Sequence, residues 1–185
     1  MKMTRTQLAV IASACAVTIL LRIRDVGLPI DSMIALALLC GAVLKTRSAL
    51  LIPLGVRLAT DMLLHARTGY GFYPSLLFDY SAYALIAGLA VLIPRTKYAQ
   101  TMLYGGLLGP VAFFLISNFG VWLLWPDTYA RTMAGLVFCY AKAIPFFGWS
   151  TAGNVAFSLV FLTAWHLSSE ATPTADLAGA DTHRA

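Results

Sequence analysis

Six apolar runs, each closed by charged or helix-breaking residues, leave this chain little choice of fold class. They cover about residues 8–21, 30–44, 49–64, 75–93, 102–124 and 149–167. Roughly 20 apolar residues cross a bilayer as one helix. Lipid cannot pair a backbone N–H or C=O, so a spanning segment of this kind satisfies its own as a helix. The expected architecture is therefore all-α, an integral membrane bundle of six transmembrane helices in a single domain, residues 1–167. Residues 168–185 are polar, rich in Ala and Thr, and read as a disordered cytoplasmic tail.

Composition agrees with that class. Of 185 residues, 59% are hydrophobic and 11% charged, against about 25% charged in soluble domains. The net charge of +5 does not suggest nucleic acid. Six of the thirteen Lys and Arg form pairs at the ends of the runs, Arg22/Arg24, Lys45/Arg47 and Arg95/Lys97. Paired cations there act as topology signals and contact lipid headgroups. The basic start and apolar run at the N-terminus lack a clear cleavage site before Arg22, and read as a retained first helix.

Six spans place both termini on one side. With the N-terminus inside, inner segments hold Lys2, Arg5, Lys45, Arg47, Arg95, Lys97 and Arg184, and outer segments hold Arg22, Arg24, Arg67, Arg131 and Lys142. The bias favours N-in, C-in. Tyr70, Phe72, Tyr73, Trp122, Trp125 and Trp149 gather on the same outer side. Residues 127–148 carry Arg131, Tyr140 and Lys142, and Pro145 and Gly148 follow. This stretch is expected to be a re-entrant or interfacial segment before the last helix, folding over the bundle as a lid.

Five polar residues interrupt the apolar runs: Asp31, Asp61, Asp79, Asn118 and Asn154. Under that topology all five fall in the outer half. Ionisable groups in hydrocarbon are costly unless they face a cavity or a partner. An outward-facing polar pocket is expected, with Asp61, Asp79, Tyr80, Tyr83, Asn118, Tyr140 and Asn154 as its ligand-binding residues. Arg57 and Asp61 stand four apart on one helix face and are expected to pair. A structural reading stays open beside this one, because Asn and charged pairs also hold membrane helices together. Ala12 and Ala16, like Gly105 and Gly109, are small residues spaced for close helix contact.

Other chemistry has little support. Cys15, Cys40 and Cys139 lack CxxC spacing, and Cys15 and Cys40 read as small buried hydrophobes. His65, His166 and His183 are too scattered for a metal site, and no cofactor is expected. There is no HExxH, GxSxG or P-loop, so the chain does not read as an enzyme.

The run Ser117-Asn-Phe-Gly-Val-Trp-Leu123, the stretch Cys139-Tyr-Ala-Lys-Ala-Ile-Pro-Phe-Phe147 and the Gly153-Asn154 pair carry a resemblance. Pro53 through Asp61 and the Ile34–Ala42 helix add to it. Together they resemble a family of small, largely uncharacterised bacterial multipass proteins. That family in turn is similar to the substrate-binding S-components of energy-coupling factor transporters, especially the solitary cobalamin type. The resemblance covers about residues 25–165. It implies a six-helix domain of the bacterial inner membrane that captures a vitamin-like micronutrient, a corrinoid among the candidates. It also implies docking through a small-residue face, here Ala12 and Ala16, to a transmembrane coupling protein driven by ATPases. Asp61 matches the acidic residue of the third-helix pattern. Three departures stand out. The fourth run offers Asp79, Tyr80 and Tyr83 where the cobalamin-type relatives carry a cysteine as cobalt ligand. Gly27-Leu-Pro-Ile30 replaces a histidine before the second helix. No Arg accompanies Gly153 and Asn154.

Overall fold

The computed structural model describes residues 3–24, 30–94 and 97–170. Six helices account for nearly all of them: α1 Arg5–Ile23, α2 Met33–Leu44, α3 Ser48–Thr68, α4 Leu76–Leu92, α5 Tyr98–Leu124 and α6 Met133–Glu170. No strand occurs among the described residues. Four of the helices (α1, α3, α5 and α6) are long and apolar enough to cross a membrane.

The other two are shorter apolar helices. α2 has 12 residues and α4 has 17, about 18 and 26 Å at 1.5 Å per residue. Both fall short of the roughly 30 Å hydrocarbon core. α2 is instead the central element, with eleven of its twelve residues buried. Its Leu36, Leu39 and Cys40 pack with Ile11, Ala14, Phe161 and Leu162, while Ile34, Ala37 and Leu38 pack with Tyr83, Ile86 and Ala87. A helix apolar on every face, like this one, belongs inside rather than at a boundary.

Small residues set the spacing around α2. A Cβ on Gly41 would lie 2.3 Å from the Ala87 carbonyl oxygen, so only glycine lets α2 and α4 touch there. A Cβ on Gly105 or Gly109 would come within 2.7 or 2.8 Å of Leu38 or Ile34. The Gly105/Gly109 face is thus spent on α2. Ala12 and Ala16, by contrast, are exposed on the outside of α1.

The re-entrant segment expected over 127–148 is overturned. α6 runs unbroken through Pro145 and Gly148 for 38 residues. Thr132 starts it, its Oγ1 accepting from the Gly135 N–H at 3.1 Å. Pro53 and Pro110 likewise lie inside α3 and α5. Proline removes one backbone bond, but packing against a neighbouring helix lets membrane helices continue through it. That packing is visible here along α5. Phe114 meets Tyr140 and Phe147 with ring centroids 5.5 and 4.7 Å apart, and Tyr140 donates to the Leu115 carbonyl at 2.7 Å.

α6 also absorbs Ser168–Glu170, which the sequence assigned to the tail. Ser169 Oγ accepts from Gln7 Nε2 at 3.2 Å, tying this end of α6 to the start of α1. The rest of the expected tail, 171–185, lies outside the described residues, as do Asp25–Pro29 and Arg95.

The bundle has two unlike ends. At one, Lys45 stands in the left-handed region (φ 54°) and reaches the C-terminus of α4. Its Nζ donates to the carbonyls of Ala90 (2.9 Å), Val91 (2.7 Å) and Ile93. They belong to the last turn of α4 and its cap, where a helix leaves carbonyls short of backbone partners, although Ala90 also accepts from the Ile93 N–H at 3.3 Å. At the other end lies the ionic cluster.

Candidate functional site

Helices α1 and α3 run toward the same end, and α2 and α4 begin there. This brings the last turn of α1, the second half of α3 and the starts of α2 and α4 together. Arg57 is the hub. It is 4% exposed, and its Nε donates to Asp61 Oδ2 at 2.8 Å. Nη1 approaches the Tyr83 hydroxyl at 3.5 Å. Nη2 donates to the Tyr73 hydroxyl at 2.8 Å and reaches Asp79 Oδ2 at 3.4 Å. The guanidinium also lies 6.0 and 5.6 Å from the ring centroids of Tyr80 and Tyr83, within the range of cation–π attraction.

The network extends outward from that hub. Asp61 accepts a second guanidinium, Arg22 Nη2 to Oδ1 at 2.8 Å, and also the Tyr80 hydroxyl at 3.0 Å. Arg22 Nε donates to Thr60 Oγ1 at 2.9 Å, and Thr60 in turn donates to the Arg57 carbonyl at 2.8 Å. Tyr83, 1% exposed, donates to Asp31 Oδ2 at 3.4 Å. Asp31 Oδ1 accepts from the Met33 N–H at 2.9 Å, at the start of α2. Arg22, Asp61, Arg57 and Asp79 form an alternating chain of two positive and two negative charges.

One loop closes over this chain. Residues 69–75 connect α3 to α4, entered through Gly69 in the left-handed region (φ 77°), where a β-carbon would strain the turn. Gly71 then lies against α3 so closely that a Cβ would sit 2.0 Å from the Asp61 carbonyl oxygen. Phe72 meets the His65 ring edge-on at 5.2 Å. Tyr73 comes next, and its hydroxyl sits between Arg57 Nη2 and Asp79 Oδ2, accepting from the first and donating to the second. Burial pushes the Tyr73 phenol above its usual range, so it stays protonated and able to donate.

Of the seven ligand-binding candidates, Asp61, Asp79, Tyr80 and Tyr83 converge around Arg57. The other three make their hydrogen bonds elsewhere. Asn118 donates within its own helix to the Phe114 carbonyl at 2.8 Å. Tyr140 lines an apolar groove of about 630 Å³ with Phe78, Ser81, Leu85, Leu115, Ile116 and Phe119. Asn154 is fully buried on α6 and donates to the Ser150 carbonyl at 2.9 Å, while its Oδ1 has no partner. None of these hydrogen bonds joins the three to the Arg57 cluster. Asn118 and Asn154 turn their amides to their own helix backbones, while Tyr140 spends its hydroxyl on the backbone of α5.

The expected Arg57–Asp61 pair is present, but it is one link among several. Arg22 and Tyr73 were missed as cluster members. Arg22 reads in the sequence as one of a boundary pair, and Tyr73 as an interface aromatic. A signal did exist, since three acids interrupting the apolar runs on one side outnumber the single in-span cation Arg57. Among the described residues, no group of three His, Cys, Asp or Glu could hold a metal ion.

The chain belongs to a family of unknown function (DUF6580), whose model matches residues 2–175. No curated protein and no solved structure matches it.

Proposed function

We propose that this DUF6580 member is a membrane substrate-binding protein of an uptake system. It captures a small, vitamin-like molecule at the ionic end of its bundle, in the manner of an S-component. The observation that carries this reading is the gathering of Arg22, Arg57, Asp31, Asp61 and Asp79, with Tyr73, Tyr80 and Tyr83, at one end of an otherwise apolar core. Charged groups inside a membrane domain face its interior or a cavity, and mark substrate and ion paths there. Packing alone needs no such concentration at one end. The protein sits in the bacterial inner membrane with both termini cytoplasmic, and the ionic end faces outward. The exposed Ala12 and Ala16 face of α1 is the docking surface for an ATP-driven transmembrane partner.

A second reading has one observation in its favour. Every nitrogen of the Arg57 side chain already has a partner inside the protein, as a purely structural network would require. Native mass spectrometry of the purified protein separates the two. A small molecule that co-purifies, and is lost in Asp79→Asn, supports capture. A folded protein that never carries one, from native membranes or after incubation with cell extract, leaves the structural reading. Reporter fusions at residues 98 and 129 should read inside and outside respectively, and the reverse would sink uptake.

A further inference from the structure

We infer that the Tyr73 hydroxyl occupies the place of a ligand group, and that the ligand of this site presents an uncharged hydroxyl or amide there. The inference rests on the capture reading above. It starts from the geometry of the loop. Residues 69–75 are held to α3 by the glycine contact at Gly71 and the Phe72–His65 ring pair. Their polar contact with the charged chain is made through one atom, the Tyr73 phenolic oxygen. That atom accepts from Arg57 Nη2 and donates to Asp79 Oδ2.

Arg57 and Asp79 are both buried, so whatever lies between them must satisfy both. An anion would answer Arg57 and be repelled by Asp79. A cation would answer Asp79 and be repelled by Arg57. The chain Arg22–Asp61–Arg57–Asp79 alternates two charges of each sign, and Asp31 adds a third acid beyond Tyr83. A charged group placed between Arg57 and Asp79 would meet a like charge on one side in a medium of low dielectric. A hydroxyl or an amide can accept and donate at once, as the phenol does. Loop opening withdraws the phenol and frees this position for the ligand group. The loop 69–75, rather than the stretch 127–148, is thus the lid of the site.

The test uses the full chain in nanodiscs and p-cresol as a probe, since p-cresol is the tyrosine side chain itself. In Tyr73→Ala, p-cresol should raise the melting temperature by several degrees relative to its effect on wild type. Toluene, 4-methylbenzoate and 4-methylbenzylammonium should not. Equal rescue by toluene would mean a bare cavity, and stronger rescue by either charged probe would overturn the assigned class. Should Tyr73→Ala fail to fold, Tyr73→Leu carries the same titration. Tyr73→Phe tests the latch: deuterium exchange of residues 70–73 should quicken several-fold while α3 and α4 hold. Unchanged exchange would show that the hydroxyl does not hold the loop. A charged molecule found on the purified wild type would overturn this inference and leave the capture reading intact.

Discussion

Asp61 receives Arg22 on one carboxylate oxygen and Arg57 on the other, each at 2.8 Å. Two guanidiniums from different helices thus share one buried acid, and α1 is fastened to α3 through it. The two partners should not count equally, because Arg57 is buried while the Arg22 side chain is 15% exposed.

Removing one partner of a buried pair leaves an uncompensated charge and costs about 3–5 kcal/mol. Arg57→Met and Asp61→Asn should each lose about that much, and Arg22→Met nearer 1.5–3 kcal/mol, as for a hydrogen bond to a charged group. Unfolding in detergent, run as a double-mutant cycle on positions 57 and 61, should return a coupling of about 0.5–3 kcal/mol. Additive losses would show that the pair does not act together.

The Tyr73 phenol gives the protein a dependence on alkaline pH. Its ionisation is pushed above the usual value in the folded state, so its contribution is complete below about pH 10, where a free tyrosine ionises. Above that pH the unfolded chain releases the proton and the folded one holds it, so stability falls as pH rises. Melting curves of wild type and Tyr73→Phe should therefore draw together as the pH rises above about 10. A constant gap would exclude a buried, proton-donating phenol.

At the opposite end, Lys45 Nζ lies on the terminal carbonyls of α4. Lys45→Met removes that cation from the negative end of the helix, and should cost about 1–2 kcal/mol in this partly buried setting. Hydrogen exchange should quicken locally over residues 89–93. A uniform change along α4 would mean the lysine acts on the whole bundle rather than as a cap.

Glycines separate by position. Gly41→Ala should be destabilising by about 1–3 kcal/mol through overpacking against the Ala87 carbonyl. Gly55→Ala and Gly88→Ala meet nothing within 4 Å, and alanine is the better helix former by about 0.5–1 kcal/mol. Thermal melts of the three should move in opposite directions. A loss at Gly88 as large as that at Gly41 would contradict the close α2–α4 approach.

How much of this could be read before folding differs from residue to residue. The all-helical class followed from the apolar runs, because hydrocarbon forbids unpaired backbone. The Arg57–Asp61 pair followed from helical spacing, since residues four apart share a face whatever surrounds them. α6 went the other way. Pro145 and Gly148 weigh against a helix locally, and only the side-by-side packing of Tyr140 and Phe147 on α5 carries the helix through them. α2 is a similar case, because an apolar run of that composition fits a central helix as well as a span. The ionic end depended on the third dimension most of all. Arg22, Arg57, Tyr73 and Asp79 come from three helices and a loop. Local composition could state that these charges need partners, but which partner each finds is decided by how the helices cross.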